Sequence, residues 1–219
     1  VRQLTLDSYR KFLTDSYYWK MIGDTIWLAC KVTVLSALLS YPLAYIINRV
    51  TRPGVKLLLI FISFLPLLVS VIVRSYGWLI ILAKEGLVNY VLQLLGIVEE
   101  PLKLAYTTNG VVIALVHIFL PFMILPILTA LSQMDRTLKL ASSDLGAGRL
   151  TTFLQITFPL TIRGLATGVQ LVFLLCITAY ATPTLIGGGK VITIPGFIYQ
   201  QTMNINWPIA SVASVVLIV

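Results

Sequence analysis

The 219-residue chain is 58% hydrophobic and 11% charged, with a mean hydropathy of +0.94; soluble domains carry roughly 25% charged residues, so the composition excludes one and defines an integral membrane protein. Its formal charge of +8 comes from Lys and Arg scattered among the connections, never as a stripe with interleaved aromatics, which argues against a nucleic-acid partner. Cys30 and Cys176 lie inside apolar runs and the one histidine, His117, has no His/Cys/Asp/Glu cluster around it in sequence, so neither a disulfide framework, a metal site nor a catalytic constellation is readable.

Residues 1–23 mix charges with aromatics and contain no spanning run; they read as an interfacial lead segment on the outer side, with Tyr9, Phe12, Tyr17, Tyr18 and Trp19 at headgroup level. Residues 24–219 form the membrane domain. Its first span, 26–47, is long enough to cross the hydrocarbon core. Lys31 sits near its start, where snorkelling is the plainer reading and a pathway role the sharper one. Arg49, Arg52 and Lys56 around Pro53-Gly54 make the densest cationic turn, which the positive-inside rule places in the cytoplasm. The second span, 57–83, is overlong and interrupted by Pro66, Arg74 and Gly77, which predicts a bent or broken helix. The connection 84–109 belongs outside, with a short helix at 87–95 and the acidic pair Glu99 and Glu100 before Pro101.

The third span, 110–132, contains His117, Pro121 and Pro126, the histidine reading as a satisfied group facing the bundle. The long polar stretch 133–163 follows. Leu138, Ala141 and Leu145 fall on one helical face, and Gly146 supplies the positive-φ residue that ends such a helix; Leu150, Leu154 and Thr157 then repeat until Pro159, predicted to stop a second short helix. Parity puts this stretch on the side of the basic turn. Arg49, Arg52, Lys56, Arg136, Lys139, Arg149 and Arg163 then lie inside, against Lys84, Lys103 and Lys190 in the outer loops, while Arg2, Arg10, Lys11 and Lys20 of the lead segment run against the bias. The fourth span, 164–186, holds Gln170, Tyr180 and Pro183. It ends in Gly187-Gly188-Gly189-Lys190, which is no phosphate loop because Thr184 stands where the first Gly belongs and Val191 where Ser or Thr belongs. An outer stretch to Asn206 precedes Trp207-Pro208 and a fifth, incomplete apolar span.

The frame Leu140-Ala141-Ser142, three residues, Gly146, nine residues, Ile156-Thr157-Phe158-Pro159 resembles the cytoplasmic EAA coupling loop of permease subunits in bacterial ABC importers, with Leu140 in place of its Glu and Ser142 in place of its second Ala. Arg74-Ser75-Tyr76-Gly77-Trp78, Glu85-Gly86-Leu87, Pro121-Phe122, Thr182-Pro183 through Gly187-Gly188 and Asn206-Trp207-Pro208 are similar to phrases of the spermidine/putrescine-type branch, although Thr178-Ala179-Tyr180-Ala181 lacks the acidic residue that many polyamine permeases place before Thr-Pro. The resemblance implies an all-α polytopic bundle of about five visible spans, the family's first one missing and the last truncated, in the bacterial inner membrane. It implies a second permease subunit, two ATPase subunits and a periplasmic substrate-binding protein as partners besides the lipid bilayer. ATP and Mg belong to the ATPases, with no cofactor in this chain. ATPase coupling falls to Leu138, Ala141, Ser142, Asp144, Leu145, Gly146, Arg149, Leu150, Ile156 and Pro159. The path or gate falls to Arg74, Tyr76, Trp78, Gln170, Tyr180, Thr184, Tyr199 and Trp207, of which Arg74 and Gln170 should face the bundle interior, a cavity or one another because they are costly against lipid. For Tyr180, Tyr199 and Trp207 the interfacial belt is the other reading. A permease for another small organic solute, or a secondary transporter or channel, is the alternative function; a secondary transporter needs ionisable coupling residues near the midplane.

Overall fold

The computed structural model describes residues 7–218, with the side chains of all of these except Asp7, Arg136, Lys139, Leu140 and Ser143. The described residues form α-helices joined by turns and by one longer loop between Leu94 and Thr108, with no strand among them. Arg2 and the first six positions of the lead segment lie outside the described residues. The chain divides into two compact units, 1–32 with 69–115 and 174–219, and 33–68 with 116–173.

The first unit begins with α1 (Asp7–Thr14) and the start of α2 (Ser16–Arg49), a helix that continues into the second unit. Helix α2 thus starts inside the stretch read as a lead segment. Asp15 is the reason: its Oδ1 accepts the Tyr17 N–H at 2.9 Å, satisfying a donor that the first helical turn leaves open. The rings that the sequence assigns to headgroup level divide. Phe12 and Tyr18 stack at 4.2 Å and are buried with Met21, Ile194, Phe197, Val212 and Ala213, whereas Tyr9, Tyr17 and Trp19 are exposed. Helices α11 (Ile194–Met203) and α12 (Trp207–Ile218) supply the other side of that core.

In the same unit α4 (Val71–Ile81) packs against α10 (Ala181–Gly187), and the Ser75 and Thr182 hydroxyls meet there at 3.0 Å, both buried. The expected short helix is α5 (Leu87–Leu94). Its Asn89 is buried and fully occupied: Nδ2 donates to the Ala83 and Leu102 carbonyls and Oδ1 accepts the Leu102 N–H, so one side chain closes the loop on itself.

The second unit holds α3 (Pro53–Phe64), which continues as a 3₁₀ turn over Leu65–Leu68, then α7 (Arg136–Asp144) and α8 (Arg149–Thr152). Helices α6 (Thr108–Gln133) and α9 (Phe158–Ile177), like α2, contribute residues to both units. The break expected in the second span is present: the helices Pro53–Leu68 and Val71–Ile81 are bent by 99°. It falls at Val69-Ser70, just past the 3₁₀ turn that contains Pro66, and not at Arg74 or Gly77, which lie within α4. Pro121 and Pro126 interrupt nothing, because α6 runs through both.

Pro159 does not end a helix. Residues Arg149–Ile177 form one apolar run long enough to cross a membrane, carried through a π-turn at Phe153–Thr157. A proline ring clashes with the carbonyl four residues earlier and lacks an N–H, and the wider π-turn just before it relieves both conflicts. The fourth span therefore starts earlier than its sequence limits and stops at Ile177, with α10 a separate helix. Ser16–Arg49 and Thr108–Gln133 are the other two helices long enough to span; the bent pair makes up to four, and α12 is a shorter apolar helix.

Candidate functional site

The polar stretch between α6 and α9 folds as a helix–glycine–helix element, with the second helix running on into α9 and not stopping at Pro159 as its pattern predicts. Asp135 opens α7: its Oδ1 accepts the Thr137 N–H at 2.9 Å, and this backbone bond, with a side-chain bond from Thr137, holds the carboxyl below its ordinary value. At the other end Gly146 has φ +78° and the Ala147 N–H donates to the Ser142 carbonyl at 3.0 Å, the six-to-one bond of a Schellman cap. The hydroxyl of Ser142, the residue that departs from the family's second Ala, is buried 2.8 Å from Thr152 Oγ1. That bond ties α7 to α8 across the glycine.

Outward from this staple the element presents apolar side chains to solvent. Leu145 is 88% exposed, Leu150 71% and Leu138 43%, with Ala141, Asp144 and Arg149 also exposed. Ile156 is half-buried and Pro159 exposed. Inward, a set of residues that periodicity could not reveal fixes the element to its unit. Phe153 meets the rings of Tyr41 at 5.8 Å and Tyr45 at 5.6 Å, both edge-on. Tyr41 shares a hydrogen bond of 2.7 Å with Thr161, and Arg49 lies over the Tyr45 ring, its Nη2 donating to the Tyr45 hydroxyl. Asn48 Nδ2 donates to the Leu131 carbonyl, joining α2 to α6. Gly164 and Gly168 let α9 approach α6 so closely that an added Cβ would meet Pro126 O, Ala130 Cβ or Met123 Sδ within 2.7 Å. The signal available in sequence was the spacing of Gly164 and Gly168, four apart, a small-residue pattern that favours close helix approach in membranes.

Of the residues read as a path, the first unit gathers three. The Tyr180 and Tyr199 rings lie 4.7 Å apart at 32°, and Thr184 Oγ1 donates to the Tyr180 carbonyl. Tyr180 is half-buried, Thr184 and Tyr199 exposed. Tyr76 and Trp207 are exposed, and Trp78 is half-buried with a partner. Lys31 lies over the Trp27 ring at 5.0 Å, a cation–π contact. Gln170, on α9 in the second unit, is exposed and does not face the interior of that unit. His117 has a partner, in keeping with its reading as a satisfied histidine.

Arg74 is half-buried, and its Nε and Nη1 atoms are fully buried with no hydrogen-bond partner among the described residues. An unsatisfied buried donor costs about 1–3 kcal/mol, more when charged. Arg74→Leu should therefore raise the thermal stability of the purified chain while lowering uptake by the assembled importer. A stability loss on this substitution, measured by thermal unfolding in detergent, would mean that the guanidinium is already satisfied within the chain.

Apolar helices long enough to cross a bilayer, joined by a polar helix–glycine–helix element with an exposed apolar face, define a polytopic membrane subunit that leaves a surface for a partner. Residues 33–219 match the family described as binding-protein-dependent transport system inner membrane component, and the chain belongs to that family. It is 34% identical over 214 residues to the spermidine/putrescine transport system permease protein PotB of Escherichia coli (strain K12), covering 97% of this chain and 77% of that protein. It is 32% identical over 190 residues to the thiamine transport system permease protein ThiP of Brucella abortus (strain 2308), covering 85% of this chain and 34% of that protein. A chain of the crystal structure of a bacterial alginate ABC transporter, in complex with alginate pentasaccharide-bound periplasmic protein, superposes with a TM-score of 0.81 at 17% identity, over 97% of this chain and 77% of that one. The protein is an all-α, multi-pass permease subunit of a bacterial ABC importer in the inner membrane, a translocation subunit and not an enzyme.

Proposed function

We propose that this permease subunit carries a polyamine, delivered by a periplasmic binding protein, along a path formed with a second permease subunit, and that two ATPase subunits drive it through the α7–Gly146–α8 element. The observation that carries the coupling half is the combination of an exposed leucine face on that element with its attachment to α2, through the aromatic cluster, and to α9, with which α8 is continuous. A helix whose apolar face sits in a groove of a partner follows that partner's displacement, and a rigid mounting passes the displacement to the spans as body motion. ATP and Mg, held in the ATPase chains, supply the driving reaction; this chain supplies the lever. Leu138, Leu145 and Leu150 are the anchors, and Ser142 and Gly146 hold their geometry.

The polyamine half is supported by the likeness to PotB and by the aromatic pair Tyr180–Tyr199, since a cation gains roughly 0.5–2 kcal/mol over a tyrosine ring. With no acidic residue in Thr178-Ala179-Tyr180-Ala181, ring faces take the place of a carboxylate on this side of the path. Tyr180→Ala should lower uptake several-fold with ATPase assembly unchanged, and Tyr180→Phe should be mild because the ring face is kept. Uptake at the native rate by Tyr180→Ala removes Tyr180 from the path.

Solute identity is tested in proteoliposomes containing the whole importer, its binding protein and ATP, with labelled spermidine and competing putrescine, thiamine or an uncharged sugar. Competition by putrescine alone is expected. Competition by thiamine, or absence of spermidine uptake with the binding protein saturated, assigns the permease to another small organic solute.

A further inference from the structure

The three lysines of the outer loops come from separate stretches of sequence, yet Lys84, Lys103 and Lys190 all line one cavity of about 450 Å³ in the first unit. Its walls are mainly apolar, with Leu79, Ile80 and Leu104 prominent among them. No carboxylate among the described residues lines it. Asp24 lines a second cavity that shares Lys190, and Lys31 lines that cavity as well. Lys84, Lys103 and Lys190 are exposed, and three charges of one sign around an apolar-walled cleft focus a positive potential that attracts an anion. A small free anion would satisfy the lysines and leave the apolar walls wet. An anionic amphiphile satisfies both.

The occupant follows from what adjoins the cavity. Ile80 is 71% exposed, and Ile72 and Val73 of the same helix are exposed as well; on an apolar helix that is half of a bent pair apolar enough for a span, such side chains meet acyl chains. We propose that this cavity is a binding site for an anionic phospholipid of the outer leaflet, its phosphate held by Lys84, Lys103 and Lys190 and an acyl chain laid along Leu79, Ile80 and Leu104. Basic pockets between membrane helices take anionic headgroups by the same combination of charge and apolar contact. The site is built from residues of the first unit alone, none of them in the coupling element, and does not depend on which solute the importer carries.

The test uses the complete importer in nanodiscs of phosphatidylethanolamine and phosphatidylglycerol with matched acyl chains, followed by native mass spectrometry of the lipids retained after detergent transfer. Each lysine near an anionic headgroup contributes roughly fivefold, so the preference for phosphatidylglycerol should approach the order of a hundredfold. The K84Q/K103Q/K190Q variant should retain the two lipids about equally, and K84R/K103R/K190R should keep the preference. Equal retention by the wild-type complex overturns the proposal, and that ratio decides alone if the glutamine variant does not assemble. An unchanged preference in the glutamine variant also overturns it. So does loss of binding-protein docking by that variant in discs of phosphatidylethanolamine alone, which would identify an acidic protein surface as the occupant.

Discussion

Gly146→Val is expected to reduce ATP-driven uptake roughly 5- to 30-fold while membrane insertion continues. Gly146 has φ +78° and nothing within 4 Å of where a Cβ would sit, so the substitution is opposed by conformation and not by space. Holding an L residue in the left-handed region costs about 1–2 kcal/mol, and a β-branched residue is a clear outlier there. A cost of one to two kcal/mol lowers the population of the correct turn by roughly 5- to 30-fold. Leaving that conformation breaks the bond from Ala147 N–H to Ser142 O and turns Leu145 and Leu150 out of register with Leu138. The conformational origin predicts a graded series. Asn, which enters the left-handed region more readily, should be mild, Ala intermediate and Val severe. Pull-down of the ATPase subunit checks this directly, and undiminished capture by Gly146→Val would remove the element from the docking surface.

Gly164→Val should have the largest effect on stability. Here space decides. A Cβ at this position would stand 2.5 Å from the Pro126 carbonyl oxygen and 2.6 Å from Ala130 Cβ, and the carbonyl belongs to a helix backbone that cannot yield locally. Helices α6 and α9 must separate, which opens the packing around Ile127 and Leu131, both buried. Overpacking of this kind costs about 1–3 kcal/mol and occasionally more. A Cβ at Gly168 would meet the Met123 sulfur at 2.7 Å and the Met123 carbonyl oxygen only at 3.3 Å, and a flexible thioether yields more readily than backbone, so Gly168→Ala should be milder. Thermal unfolding of the two variants in detergent separates the cases, and equal stability would place the close approach of α6 and α9 in doubt.

Much of this organisation was legible in the sequence for identifiable reasons. Gly146 was readable because a left-handed helix end has a strong residue preference, and α5 because its apolar spacing is local. The bend in the second span was readable from Pro66, although it falls at Val69-Ser70. What escaped depends on partners distant in sequence or on a local exception. Tyr41, Tyr45, Phe153 and Thr161 lie in stretches that look uniformly apolar, and nothing in their spacing shows that residues about 120 apart share a hydrogen bond. Pro159 reads as a terminator by rule, and only the π-turn before it lets the helix pass. The early start of α2 was encoded after all, in Asp15 as a cap, but the charges around it resembled a headgroup segment more than a helix start. For the proposed path, Tyr180 and Thr184 were adjacent by helical spacing, while the pairing of Tyr180 with Tyr199 required the fold.

The central claim is that this subunit moves its solute only when ATPases act on the α7–Gly146–α8 element. It is tested most directly by spermidine uptake into proteoliposomes holding the complete importer and saturating binding protein, with ATP either sealed inside with the ATPases or replaced by a non-hydrolysable analogue. Uptake with ATP, its absence with the analogue, and its loss in Gly146→Val despite normal insertion are the predicted result. Uptake that proceeds equally with the analogue, or that Gly146→Val leaves intact, would contradict the account.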